Sequence, residues 1–211
     1  MAEKIKKHKE IIFVLGIGLV LTIAGLLGMS GMMALPGSVS AATDTVAVTA
    51  TIESWISVNI IQATLPLGVL VTSAGGSVIG SATTSVQVGT NDTDGWTMTI
   101  EGEGSGAAGG LYSTIETHLI GTATPVGTGV DGYGAQATTT ESGVSINGAY
   151  DLTGNTVGLI PQGSSPDIAS GSAARALSHA FTLTVKASSA TDNPAANDYG
   201  DTITLTATVI P

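Results

Sequence analysis

The sequence predicts an all-β fold, an antiparallel β-sandwich of the Ig-like or pilin-like kind, preceded by an N-terminal hydrophobic signal or anchor helix. Three observations predict it. Apolar and polar residues alternate with period 2 in run after run beyond residue 42, turn-forming Gly, Asn, Asp and Ser separate the runs, and no stretch there reads as a capped amphipathic helix.

The leader comes first. Lys4, Lys6, Lys7 and Lys9 form a basic head, an apolar stretch spans 11–35, and the small-residue run Ser38-Val39-Ser40-Ala41-Ala42 follows Pro36-Gly37. A charged head, an apolar middle and a small-residue exit are the parts of a secretory signal peptide. Val39 and Ala41 fit the two small sites of the cleavage signal, which places the cut after Ala41. The apolar stretch also exceeds the roughly 20 residues that span a bilayer, so an uncleaved membrane anchor is the alternative. Either way, 1–41 is expected to be leader and 42–211 a single domain on the extracellular side or cell surface.

Without the leader the chain keeps 14 acidic residues and only two bases, Arg175 and Lys186. So acidic a surface repels phosphate backbones, and nucleic acid is not an expected partner. A membrane is expected as a partner only through an uncleaved leader. There is no cysteine, so an exported domain of this kind must hold together by burial rather than disulfides. About 170 residues suffice, since a chain of that size buries roughly 70% of its unfolded surface.

The strands follow in order. Residues 45–52, TVAVTATI, set Val46, Val48, Ala50 and Ile52 against Thr. Residues 95–101 set Trp96, Met98 and Ile100 against Thr97, Thr99 and Glu101, which makes Trp96 a core residue. Leu177, His179, Phe181, Leu183 and Val185 form the apolar side of one late strand, and Ile203, Leu205, Ala207 and Val209 that of the last. Weaker strand candidates are 55–61, 66–72, 83–89, 111–116 and 144–150. Asp94-Gly95, between 83–89 and 96–101, is a hairpin-type turn signal. Loops are expected at about 102–110, 121–143 and 153–174. Thr on the solvent sides supplies β-propensity with little charge, and edges of that kind can pair with another chain.

The order of TVAVTATI, TTSVQVGTNDTDGWTMTIEG, DGYGAQA and FTLTVKASSATDNPAANDYGDTITLTATV resembles secreted β-sandwich proteins of bacterial cell surfaces, in the style of spore-coat-U, WxL and fimbrial-type domains. The closing motif departs from that pattern, since Asn197-Asp198-Tyr199-Gly200-Asp201 stands where a small-Gly-x-Tyr order is usual. The resemblance implies a structural subunit of the surface or of a fibre, with copies of itself as partners. It also implies a candidate strand donor, residues 45–52 (Thr45, Val46, Val48, Ala50 and Ile52), though pairing within its own domain is the other reading. The alternative function is an adhesin or glycan-binding module acting on surface glycan or other cell-surface proteins through loops 121–143 and 153–174, with Tyr133 as the candidate ligand residue.

Residues that carry chemistry are sparse. His118 and His179 lack metal-ligand spacing, and Gly127-Thr128-Gly129-Val130-Asp131-Gly132 lacks the strand before and helix after that a dinucleotide loop needs. Asn91, Asp92 and Asp94 crowd one turn, and Asp192, Asp198 and Asp201 another. Oxygen ligands suit calcium, but turn-forming Asx residues explain both groups without it, so Asn91, Asp92 and Asp94 are only weak calcium candidates and no other cofactor is expected. No G-x-S-x-G elbow, lysine-bearing phosphate loop or cysteine nucleophile occurs, and no catalytic residue is expected.

Overall fold

The computed structural model describes residues 49–71 and 75–210, and within them every regular element is a β-strand. The leader 1–41, its proposed helix, and Thr45, Val46 and Val48 of the candidate donor lie outside the described residues. The chain divides into two units, Met1–Ala50 and Thr51–Pro211, and the fold that follows is that of the second.

Ten strands build it: β1 (Ile56–Ile60), β2 (Gly80–Thr90), β3 (Trp96–Gly102), β4 (Gly110–Ser113), β5 (His118–Gly121), β6 (Gly132–Thr138), β7 (Val144–Ile146), β8 (Asp167–Gly171), β9 (Ala174–Ser188) and β10 (Ile203–Val209). One antiparallel sheet has the order β1-β2-β9-β6, a second has the order β10-β3-β8-β7, and β4 and β5 form a separate pair.

Alternation places the core. In β3, Trp96, Met98 and Ile100 are fully buried while Thr97, Thr99 and Glu101 are half-buried. In β9, His179, Phe181, Leu183, Val185 and Ala187 are buried, whereas Thr182 between them is exposed. Val86 and Val88 of β2 and Tyr133, Ala135 and Ala137 of β6 join them, so both four-stranded sheets bury one face in a shared core. Each Ile, Leu or Phe taken out of water there contributes about 1.5–3 kcal/mol. Close packing is visible at Gly171, where a Cβ would stand 2.6 Å from the Trp96 indole. The indole N–H donates to His179 Nδ1 at 3.1 Å, which satisfies both buried side chains.

Several expectations are corrected. The Asp94-Gly95 turn does not close a hairpin: β2 and β3 belong to different sheets, and residues 91–95 carry the chain from one to the other. The turn chemistry itself is present. Asp92 Oδ1 accepts the Asp94 N–H, and Gly95 takes φ +96° with no room for a Cβ beside the Gly171 carbonyl. A tight turn fixes a chain reversal but not the partner of the strand that follows. Residues 66–71 form no strand. Gly68 at φ +78° breaks the extended run, and only Val71 makes an isolated bridge, to Ser77. The 111–116 run stops at Ser113, and β5 follows where no strand was expected. The expected loop 121–143 contains β6, the expected loop 153–174 contains β8, and β7 covers only the start of 144–150.

Candidate functional site

The two four-stranded sheets end differently on their two sides. On one side the edge strand β6 is covered by the segment 150–158. Ala135 exchanges both backbone bonds with Gly158, at 2.9 and 2.7 Å, and the Ala137 N–H donates to the Tyr150 carbonyl. The Gln136 amide donates to the Gly154 and Thr156 carbonyls, and the Tyr150 hydroxyl donates to the Leu159 carbonyl at 2.7 Å. Tyr150 and Val157 are buried there.

On the other side stand β1 and β10, which approach within 8 Å, Cα to Cα. β1 pairs only with β2, and β10 only with β3, among the described residues. Among the described residues no backbone group of Ile203–Val209 is bonded on the side away from β3. Register fixes which side chains look inward, because directly opposed residues share a face. Val58 and Ile60 oppose the buried Val88 and Val86, yet are 38% and 39% exposed. Leu205 and Ala207 oppose the buried Ile100 and Met98, and Ile203, Leu205, Ala207 and Val209 are all only half-buried. Core-facing apolar side chains are thus left partly bare along both edges. Neither strand carries a charge. Unpaired backbone groups beside uncovered apolar side chains are what an added strand satisfies, the backbone giving affinity and alternate side chains specificity.

The chain leading into this seam is held by the turn between β2 and β3. The Asn91 side chain accepts the Trp55 N–H at 2.7 Å and donates to the Glu53 carbonyl, Thr90 Oγ1 donates to the Trp55 carbonyl, and Ser54 donates to Asp92 Oδ2. Residues 49–55 are exposed and form no strand, and Ile52 is 86% exposed. Of the candidate donor, Ala50 and Ile52 are the described members, and neither lies in a strand. The weak calcium candidates Asn91 and Asp92 point their oxygens at this incoming chain and at the Asp94 N–H. Among the described residues no three His, Asp or Glu side chains are grouped as metal ligands.

Tyr133 is corrected too. Expected free in a Gly-rich loop, it lies in β6, is 1% exposed, and donates its hydroxyl to Asp201 Oδ2 at 2.9 Å. Burial first, then the Asp201 charge and hydrogen bond, pushes its phenol well above the usual tyrosine range. The ring is therefore not presented to a ligand, although Trp55 remains 42% exposed at the seam.

A second polar group orders the connection between β9 and β10. The Asp198 carboxylate accepts from Ser113 Oγ, the Thr114 N–H and hydroxyl, and the Ile115 N–H at 2.5–3.0 Å. The Ser113 hydroxyl above all, with the backbone donors and the Thr114 hydroxyl, holds its carboxyl down at about 2, below the usual carboxylate value. Asp201 also accepts the Gly104 N–H at 2.7 Å, and Tyr112 bridges Gly200. An open depression beside these groups is lined by Glu103, Tyr112, Thr114, Asp198 and Asp201, among others. The Asp198 and Asp201 carboxylates are occupied in fastening the β4–β5 pair, Tyr133 and the chain approaching β10. His118 likewise pairs with Tyr199, ring to ring in a T-shaped contact and through the Tyr199 hydroxyl at 3.1 Å.

The sequence matches no known family model and no curated protein. The seam is therefore described by its own geometry alone. Sequence reading found the alternation of β10 and the weak strand at 55–61, but missed Ile56, Val58 and Ile60 as members of a shared surface. The signal available was the run of apolar residues at 56, 58 and 60 in register with those of β2.

Proposed function

We propose that this chain is an extracellular structural protein, a subunit of the cell surface or of a fibre that self-associates through a β-sandwich, with residues 45–52 as its candidate donated strand. In this reading the two four-stranded sheets are the leaves of an Ig-like or pilin-like sandwich. The observation that carries it is the uncharged edge of β10, unpaired among the described residues on the side away from β3, beside half-bare core-facing side chains. Isolated edges of this kind are ordinarily blunted by charge, Pro or a covering segment. β6 has such a cover, and β10 has none among the described residues.

The basic and apolar leader supports placement outside the cytoplasm. The acidic surface with few bases supports solubility of the unassembled subunit. No catalytic step belongs to the reading.

Light scattering and electron microscopy of the purified mature protein test it, together with imaging of the producing cells. Oligomers or filaments that grow with concentration are expected. A strictly monomeric protein with no assemblies at the cell surface overturns the proposal.

A further inference from the structure

The turn that leads from β7 into the cover of β6 holds the only Asn-Gly pair of the chain, Asn147-Gly148. We propose that Asn147 is a site of spontaneous covalent modification, a succinimide-forming asparagine whose conversion to isoaspartate loosens the segment 150–158 from β6. The inference concerns the folded subunit alone and stands apart from its self-association.

The turn favours the reaction in three ways. Asn147 and Gly148 are both exposed, and a Cβ placed on Gly148 would meet nothing within 4 Å, so no neighbour crowds the reacting peptide. The Gly148 N–H makes no hydrogen bond among the described residues. Asn147 Oδ1 accepts the Ala149 N–H at 3.0 Å. This Asx turn folds the carboxamide back along its own backbone and polarises its carbonyl.

Comparable positions lack these features. Asn193 precedes Pro194, which has no N–H to give up. The Asn91 carboxamide is engaged by the backbone of Glu53 and Trp55, and the Thr156 N–H that follows Asn155 donates to the Thr153 carbonyl. Of the Asp-Gly pairs, which close the same ring, Gly95 is packed against the Gly171 carbonyl, and Asp131 Oδ1 accepts from the Ala190 N–H and the Asn193 amide.

The step needs only water and hydroxide, and nothing is oxidised or reduced. Hydroxide takes the Gly148 N–H proton, and the nitrogen bonds to Cγ of Asn147. The Cγ–Nδ2 bond breaks, Nδ2 takes a proton from water and leaves as ammonia, and a five-membered imide ring remains. Water opens the ring at either carbonyl. Opening at Cγ leaves aspartate at position 147, and opening at the α-carbonyl leaves isoaspartate, whose main chain runs through Cβ and Cγ.

Isoaspartate lengthens the main chain by a methylene and turns the backbone carbonyl of Asn147 into a free carboxylate. That carbonyl now accepts the Tyr150 and Asp151 N–H groups at 2.8 and 3.0 Å, and the Asn147 N–H donates to the Ile168 carbonyl at 2.9 Å. Tyr150 in turn accepts the Ala137 N–H of β6 at 2.9 Å. Displacing Tyr150 therefore releases Ala137, and β6 loses its cover at that end.

Full-length mature protein, kept folded in warm, mildly alkaline buffer and sampled over days, tests the proposal. Peptide mass spectrometry is expected to find the mass gain of an amide-to-acid exchange at Asn147 ahead of every other asparagine, in a peptide that isoaspartyl methyltransferase labels. Gly148→Ala, which the open space at Gly148 accommodates, should slow that gain several-fold. Amide hydrogen exchange of the aged protein should show lost protection at Ala137 and unchanged protection in β2. Freshly prepared Asn147→Asp, with the charge but not the added methylene, should keep Ala137 protected. An Asn147 peptide that holds its mass while the protein stays folded overturns the modification site. Isoaspartate formed without loss of protection at Ala137 overturns its effect on the cover, and an equal loss in Asn147→Asp overturns the lengthened main chain as the cause.

Discussion

The β6 side and the β1–β10 side of the molecule begin from the same ingredients and end differently. Both present an edge strand with alternating inward side chains. At β6 the segment 150–158 supplies backbone partners and the buried Tyr150 and Val157, and Tyr133, Ala135 and Ala137 are fully enclosed. At β1 and β10 no segment among the described residues does so, and Val58, Ile60 and Leu205 stay partly in water although their register partners are buried. Whether an inward side chain is buried thus depends less on its own strand than on whether another piece of chain covers the edge.

The largest effect expected from testing this contrast is on the covered side. Tyr150 is buried, and Tyr150→Ala should cost about 3–5 kcal/mol in urea unfolding, as truncation of a core aromatic side chain does. A loss near zero would show the 150–158 side to be as loose as the other.

Next comes the link between the sides, from Tyr133 in β6 to Asp201 just ahead of β10. Tyr133→Phe keeps the ring but removes a donor to a carboxylate, and should cost about 1.5–3 kcal/mol by the same measurement.

Asp198 gives a pH signature. Its carboxyl is lowered from 3.8 to about 2 by the Ser113 hydroxyl first, with further donors at Thr114 and Ile115. A lowered folded-state value means stability that is present above the unfolded value and lost as pH falls through the folded one. Asp198→Asn should therefore reduce the thermal midpoint at neutral pH, with the gap to the unsubstituted protein narrowing below 3.8 and vanishing near about 2. A gap independent of pH would remove the charge from the explanation.

The smallest effect on stability is expected on the open side. Val58→Thr should shift the unfolding free energy of the monomer by no more than about 0.5 kcal/mol, as exposed substitutions do. The same change should measurably weaken association. A large stability loss would mean that the seam is already filled within one chain.

Legibility from sequence followed the range of the physics involved. Trp96, Met98 and Ile100 were found as core because alternation is local and each inward residue announces its neighbours two positions away. His179 was found on the apolar side of its strand for the same reason, but its bond to the Trp96 indole joins two different sheets and left no local trace. Tyr133 was misplaced because the Gly residues around it imitate a loop. Gly134 is in fact required by close approach, since a Cβ there would stand 2.4 Å from the Gly158 carbonyl oxygen. The Asp94-Gly95 turn was recognised, but the strands it joins proved to lie in different sheets.

By itself the sequence determined that the chain beyond residue 55 is built of strands, which of their faces are apolar, and how little positive charge they carry. These properties are written residue by residue in side-chain type and period. Only the tertiary structure decided which strands pair, that β2 and β3 part company at residues 91–95, and that the β6 edge is covered while the β10 edge is uncovered among the described residues. Pairing and coverage depend on segments far apart in the chain meeting in one place, and no local pattern encodes which of several equally suitable edges a segment will reach.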